Sequence, residues 1–222
     1  MNIALFGGTF DPIHRGHLQA ARVAARRFGL DQVLFVPSGI PPHKQPDHLT
    51  EFAHRYAMVA LACTEDPRFI PSLLEAPGTT KRPAYTITTV RRARRSLRSG
   101  DTLFFLLGAD AFLDLPHWKD YKQILGLVDF IVVSRPGFSR SDFKQVIPSG
   151  ELAARQCGPD HAICLRRSTV HILQGVNSKV ASREVRDAIQ AGRRIAGLVP
   201  RLVEQYIRKE GLYRPRKLGL QE

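Results

Sequence analysis

The residues with the clearest chemical content follow an apolar run, Asn2 to Phe6, which leads into Gly7-Gly8-Thr9-Phe10-Asp11-Pro12-Ile13-His14-Arg15-Gly16-His17. Paired glycines let the backbone approach a bulky anion closely, and a helix opening after them offers unpaired N–H groups and a partial positive charge. Phosphate fits that arrangement. The stretch is not a dinucleotide fingerprint, because it lacks G-x-G-x-x-G, and not a P-loop, because no Gly-Lys-Ser/Thr follows. Glycines alone carry little weight, so His14 and His17, which flank Arg15-Gly16, decide the reading. They can be core or cap residues, a metal-ligand pair, or donors to phosphate. No third ligand stands nearby to complete a metal site. An imidazole N–H beside a helix start, in contrast, stabilises the charge that builds on a pentacoordinate phosphorus, and phosphate donation is the reading adopted.

A second cluster follows the run Gln32 to Val36. In Pro37-Ser38-Gly39-Ile40-Pro41-Pro42-His43-Lys44, prolines stiffen the chain and His43 and Lys44 present adjacent donors past a strand end, where a substrate phosphate can be held. A lysine in a proline-rich loop, taken alone, is usually just solvated. Further along, Thr86 after Pro83-Ala84-Tyr85 suits a helix N-cap. Arg135 leaves the run Phe130 to Val133, where its guanidinium can face phosphate or simply close the strand end.

An α/β framework must position these groups. Six short apolar, β-branched or aromatic runs predict strands: Asn2 to Phe6, Gln32 to Val36, Phe69 to Leu73, Thr102 to Leu107, Phe130 to Val133 and Val170 to Leu173. Helical patterns separate most of them, over Gly16 to Phe28 and from near Thr50, Thr86, Asp120, Ser182 and Val199. Continuous apolar strands alternating with helices predict a mostly parallel, doubly wound, Rossmann-like sheet with helices on both faces. Ligands in such sheets bind outside the carboxyl ends of the strands, where strand order reverses, so chemistry is expected after the first and fourth strands. Residues 1–213 read as one domain, with 138–169 an irregular excursion and 214–222 a basic tail.

Bulk composition agrees with a folded domain. With 222 residues, 43% hydrophobic and 24% charged, the chain has globular composition, and a domain of this size buries roughly 70% of its unfolded surface. No run approaches the ~20 apolar residues that span a bilayer, and the N-terminus lacks a secretory signal, which predicts a cytoplasmic protein. Cys63, Cys157 and Cys164 form no C-x-x-C pair and are expected to be reduced. The formal charge of +13, from 33 Lys and Arg against 20 Asp and Glu, favours anionic ligands. Much of it is bland, however. Around Val90 to Arg98 the apolar positions Ile87, Val90, Ala93 and Leu97 recur at helical spacing, which leaves most arginines on the solvated face.

The H-x-G-H element His14-Arg15-Gly16-His17 resembles the signature of the adenylyl- and cytidylyltransferase superfamily. Pro41-Pro42-His43-Lys44 resembles the P-P-H-K element of bacterial nicotinate-nucleotide adenylyltransferases, which narrows the likeness. Other elements match that family in order: Pro83-Ala84-Tyr85-Thr86 for P-S-Y-T, Gly108-Ala109-Asp110 for G-x-D, Trp118-Lys119 for W-K, and Arg135-Pro136-Gly137. Leu198-Val199-Pro200 and Gly211-Leu212-Tyr213 resemble parts of its closing helix. Val180-Ala181-Ser182-Arg183-Glu184-Val185-Arg186 departs from the family's I-S-S-T-x-I-R: one hydroxyl is lost, and Arg183 would replace a hydroxyl donor with a charged one. The likeness spans residues 3 to 213 and is poor over 138–169.

The resemblance implies that ATP and nicotinate mononucleotide give nicotinate adenine dinucleotide and pyrophosphate. It implies ATP contacts at Gly7, Gly8, Thr9, Phe10, His14, His17, Gly108, Ser182, Arg183 and Arg186. The mononucleotide would meet His43, Lys44, Tyr85, Thr86, Asp110, Trp118 and Arg135, with Asp110 on ribose hydroxyls and Trp118 against the pyridine ring. His17, His14 and Lys44 would be catalytic. Mg²⁺ is expected on the ATP phosphates, held by substrate oxygens and water rather than by a protein site. The expected partners are these small molecules, with a homo-oligomer allowed and neither nucleic acid nor membrane involved. The nearest rival is an enzyme preferring nicotinamide mononucleotide. Phosphopantetheine or glycerol-phosphate nucleotidyltransferases lack the P-P-H-K and W-K elements, and a tRNA synthetase would need an anticodon-binding part. A basic nucleic-acid-binding module is the rival of another class, against which stands the lack of an aromatic-basic strand pattern.

Overall fold

A strand buried on both faces has no polar side to turn to solvent, so it must sit inside a sheet covered twice. In the computed structural model, which describes residues 1–39, 49–78, 84–134, 137–154, 162–176 and 180–215, each predicted apolar run forms a strand. They are β1 (Asn2–Gly8), β2 (Gln32–Pro37), β3 (Phe69–Pro71), β4 (Thr102–Gly108), β5 (Asp129–Val133) and β7 (Thr169–Leu173), joined by an unpredicted β6 (Ala162–Cys164). The seven-stranded sheet has the order β3-β2-β1-β4-β5-β7-β6, parallel throughout except for the antiparallel pairing of β6 with β7. Order reverses between β1 and β4, as the doubly wound reading requires.

Alternate residues of each strand feed separate cores. Ala4, Phe6, Phe104, Leu106, Ile131 and Val133 face one side, under α1 (Arg15–Phe28), α2 (Phe52–Cys63), α7 (Ser182–Gln190) and α8 (Arg201–Lys209). Ile3, Leu5, Phe105, Leu107, Phe130 and Val132 face the other, under α3 (Thr86–Arg95), α4 (Ala109–Leu113), α5 (Tyr121–Leu125) and α6 (Arg140–Gln145). Helix α1 shows the local logic: its small residues Ala20, Ala21, Ala24 and Ala25 are buried and let it lie close to the sheet. It stops at Gly29, whose left-handed φ of 57° lets its N–H reach the Ala25 carbonyl, and Arg26 and Arg27 suit the negative end of the helix dipole. Among the described residues no helix is long and apolar enough to cross a membrane.

Three expectations change. The stretch 138–169, expected to be irregular, contains α6 and β6; both are too short to show a period in sequence. The arginines of α3 are exposed, as expected, but several are not simply solvated: Arg92 donates to the Leu74 carbonyl at 3.0 Å and Arg94 to that of Leu127 at 2.7 Å. Cys164 is disulfide-bonded, which corrects the expectation of reduced cysteines; a search for C-x-x-C pairs overlooks bonds across other spacings. Cys63 is free and buried, and burial pushes its thiol up to about 12. Cys157 lies outside the described residues.

Leu106 is fully buried in β4, at the middle of the sheet. Truncation to alanine is expected to lower the free energy of unfolding by about 2–5 kcal/mol, read from the urea midpoint; a loss under about 1 kcal/mol would contradict a close-packed centre.

Candidate active site

The cleft edge is built from the end of β1. Gly7 and Gly8 complete the strand, and α1 begins at Arg15 with His14 as N-cap in an extended conformation. Gly8 leaves room for the Phe10 ring, from which a Cβ would stand a tight 3.0 Å. Phe10 itself takes a left-handed φ of 50°, uncommon for an aromatic residue, and is held there by edge contacts with Phe6 and His17. Only 2% exposed, Phe10 belongs to the core.

His14 and His17 stack, with ring centroids 3.6 Å apart and 24° between planes. The His14 backbone N–H donates to His17 Nδ1 at 3.2 Å, so the cap reading of His17 is realised. That bond also decides the tautomer. A neutral imidazole whose Nδ1 accepts carries its proton on Nε2, which is then a donor. Capping and phosphate donation therefore use different nitrogens of the same ring. His14 is buried and His17 is half-buried.

Beside this loop lies a cavity of about 650 Å³ at the carboxyl ends of β1, β2 and β4, where strand order reverses. Gly7, Gly8, Thr9, Tyr85, Thr86, Gly108 and Trp118, all singled out in the sequence, line it. Neither histidine does; the Gly7-Gly8-Thr9 segment belongs both to the cavity wall and to the loop that carries them. Trp118 is fixed by its indole N–H to Asp114 at 3.2 Å and by an edge contact with Phe105. Lys119 sets its ammonium 4.5 Å from the centre of the Tyr85 ring, giving the aromatic wall a positive charge. Asp110 is exposed in the first turn of α4 and is not among the lining residues.

The residues expected on the triphosphate stand at and near the start of α7. Ser182 donates its hydroxyl to the Pro12 carbonyl at 2.9 Å, and Arg186 donates to the Asp11 carbonyl at 2.6 Å. Both thus brace the loop that carries the histidines. Arg183 is exposed and pairs loosely with Asp187 at 3.7 Å. His43, Lys44 and Arg135 lie outside the described residues. Among the described residues no group of His, Cys, Asp or Glu is arranged to hold a metal ion.

Several functional neighbours went unread in the sequence. Tyr213 donates its hydroxyl to the buried Asp11 carboxylate at 2.7 Å; burial, reinforced by that carboxylate, raises the phenol's pKa well above its ordinary value. Arg55 is wholly buried on α2 and bonds backbone carbonyls of the loops after β1 and β2. Glu75 and Thr89 line the cavity and bond each other at 2.7 Å. A signal for Arg55 existed: it shares a helical stripe with the buried Met58, Val59 and Ala62, where a charge needs partners.

Residues 5–188 match the cytidylyltransferase-like family model. Two relatives bear the name probable nicotinate-nucleotide adenylyltransferase. One from Desulfotalea psychrophila is 38% identical over 95% of this chain and 99% of its own length; one from Thermus thermophilus is 41% identical over 96% and 100%. In fold, the chain is similar to the solved structure of Plasmodium falciparum nicotinic acid mononucleotide adenylyltransferase complexed with NaAD. The TM-score is 0.71 at 19% identity, with 96% of this chain and 97% of that one covered. A cavity at the strand-order reversal, a histidine pair at the neighbouring helix start and full-length likeness at this identity agree: the chain belongs to the nicotinate-nucleotide adenylyltransferase family, within the cytidylyltransferase-like enzymes.

Proposed function

We propose that the protein transfers the adenylyl group of ATP to nicotinate mononucleotide, forming nicotinate adenine dinucleotide and pyrophosphate in NAD synthesis. The observation that carries this reading is the Gly7-Gly8-Thr9 segment, which joins an aromatic-walled cavity to a histidine stack at a helix start. In the reaction a phosphate oxygen of the mononucleotide bonds to the α-phosphorus of ATP. The bond from that phosphorus to the bridging oxygen breaks, and its electron pair leaves with pyrophosphate. The nucleophile is already anionic, so no base is needed, and catalysis reduces to alignment and charge stabilisation.

In this reading His17 Nε2 donates to the crowded phosphorus centre, with His14 stacked beneath it and the backbone of Gly7, Gly8 and Thr9 facing phosphate. Tyr85, Thr86 and Trp118 hold the pyridine ring, Gly108 adjoins ATP, and Asp110 takes ribose hydroxyls. Lys44, His43 and Arg135 receive the mononucleotide phosphate by resemblance alone. Mg²⁺ on the ATP phosphates would be held by substrate oxygens and water and would neutralise part of their charge. Lys119 supports the acid over the amide: a cation on the aromatic wall favours a pyridine carboxylate over a neutral carboxamide.

Pyrophosphate release measured with ATP and each mononucleotide tests the substrate. The expected kcat/KM is higher for the nicotinate form, and Lys119→Gln is expected to shrink that preference about fivefold, as an exposed charge allows. Equal use of both forms would overturn the substrate assignment. For His17→Ala, turnover is expected to fall roughly 10²–10³-fold while Michaelis constants change little. A variant with near-normal kcat and only a raised KM would remove His17 from the transition state.

A further inference from the structure

Arg55 contributes its whole guanidinium to backbone carbonyls in three places. Nε donates to Thr50 at 2.8 Å, Nη1 to Thr9 at 2.8 Å, and Nη2 to Gly39 at 3.2 Å. Thr50 precedes α2, Thr9 belongs to the loop after β1, and Gly39 to the loop after β2. The side chain is fully buried, with its guanidinium carbon 5.5 Å from the centre of the Phe52 ring. A planar fork suits this task, whereas an ammonium would satisfy one direction well and leave others unmet.

Gly39 is gripped from its other side as well. Burial raises the pKa of the Glu75 carboxyl, and the Thr89 hydroxyl, which donates to it at 2.7 Å, and the neighbouring Gly39 backbone N–H work the other way. No other residue fits there, because a Cβ on Gly39 would run into the Glu75 backbone carbonyl oxygen. Burial lowers the Arg55 pKa, and the charges of Asp11 and Glu75 offset that in part without direct pairing. Thr9, Ser38, Glu75 and Thr89 all line the cavity. One connected set of bonds therefore ties together β1, β2 and the first turns of α3, which are separate walls of one site.

We infer that Arg55 and Glu75 are positioning residues that hold Thr9, just after β1, and Gly39, just after β2, in fixed relation. This rests on the adenylyl-transfer reading, in which the chain beyond each position meets a different substrate. Neither residue touches a reacting atom; each acts through backbone. What the grip supplies is alignment, on which in-line displacement depends far more steeply than binding does. A displacement of about 1 Å can slow such a step by roughly 10²-fold.

The test is the single-turnover rate of pyrophosphate release at saturating ATP and nicotinate mononucleotide, with Michaelis constants and urea midpoints measured in parallel. Arg55→Lys is expected to slow the step roughly 10²-fold while both Michaelis constants stay within about threefold. Glu75→Gln still offers an acceptor to the Gly39 N–H and a donor to Thr89, and should react within about threefold of wild type; Glu75→Leu should fall with Arg55→Lys. Thr89→Val, which removes only a hydroxyl, keeps the question open to measurement if a bolder variant does not fold, and should slow the step about tenfold. Variants that are less stable yet react at the wild-type rate would overturn the inference, as would a loss appearing only in KM or equal losses in Glu75→Gln and Glu75→Leu. Wild-type protein that released no pyrophosphate would refute the proposed reaction itself, which separates that failure from failure of the clamp.

Discussion

Between β1 and α1, the carbonyls of Thr9, Asp11 and Pro12 each accept a hydrogen bond from a side chain elsewhere: Arg55, Arg186 and Ser182. A carbonyl bound from behind cannot swing towards a phosphate and repel it. Such bonds leave the outer surface of a loop to its N–H groups, the polarity that an anion needs. The glycines permit close approach, the helix start adds its partial charge, and the histidine stack stands where the loop ends. All of these depend on the loop keeping one conformation, which its own residues, including a left-handed Phe10, would not select unaided.

The same use of arginine recurs away from the cleft. Arg92 and Arg94 of α3 cap carbonyls of neighbouring loops, as Arg55 does in the interior. The strongly basic composition is thus partly architectural. Guanidinium forks tie irregular segments to regular elements, and net charge by itself overstates how much positive surface is available to ligands.

Strand runs and helix starts were legible because burial on both sheet faces imposes continuous apolar segments and covering helices impose a 3.6-residue period. The cleft was legible for the same reason: once β1 and β4 are parallel neighbours, the connections leaving their carboxyl ends run to opposite faces and open a crevice there. Side-chain purpose was less legible. Ser182 and Arg186 have the chemistry of phosphate donors, and nothing local in the sequence announces the backbone carbonyls of Pro12 and Asp11 that they also bond. The role of Tyr213 escaped because its partner is distant in sequence, the bond to Asp11 spanning 202 positions, and Glu75 and Arg55 act through backbone groups of other elements that no local pattern marks. Strand β6 is too short for any periodicity, and the Cys164 bond depends on a pairing that spacing does not dictate.

The long-range bond between Tyr213 and Asp11 also bears on the order of folding. With 202 positions between the partners, the contact is expected to form after the more local pairings have brought the ends of the chain together. During synthesis β1 and its glycines emerge long before Tyr213 leaves the ribosome. A nascent chain can therefore assemble its hydrophobic layers while the Asp11 carboxylate still lacks its phenol, and the segment beneath the histidines gains its last restraint only once Tyr213 has been added and released.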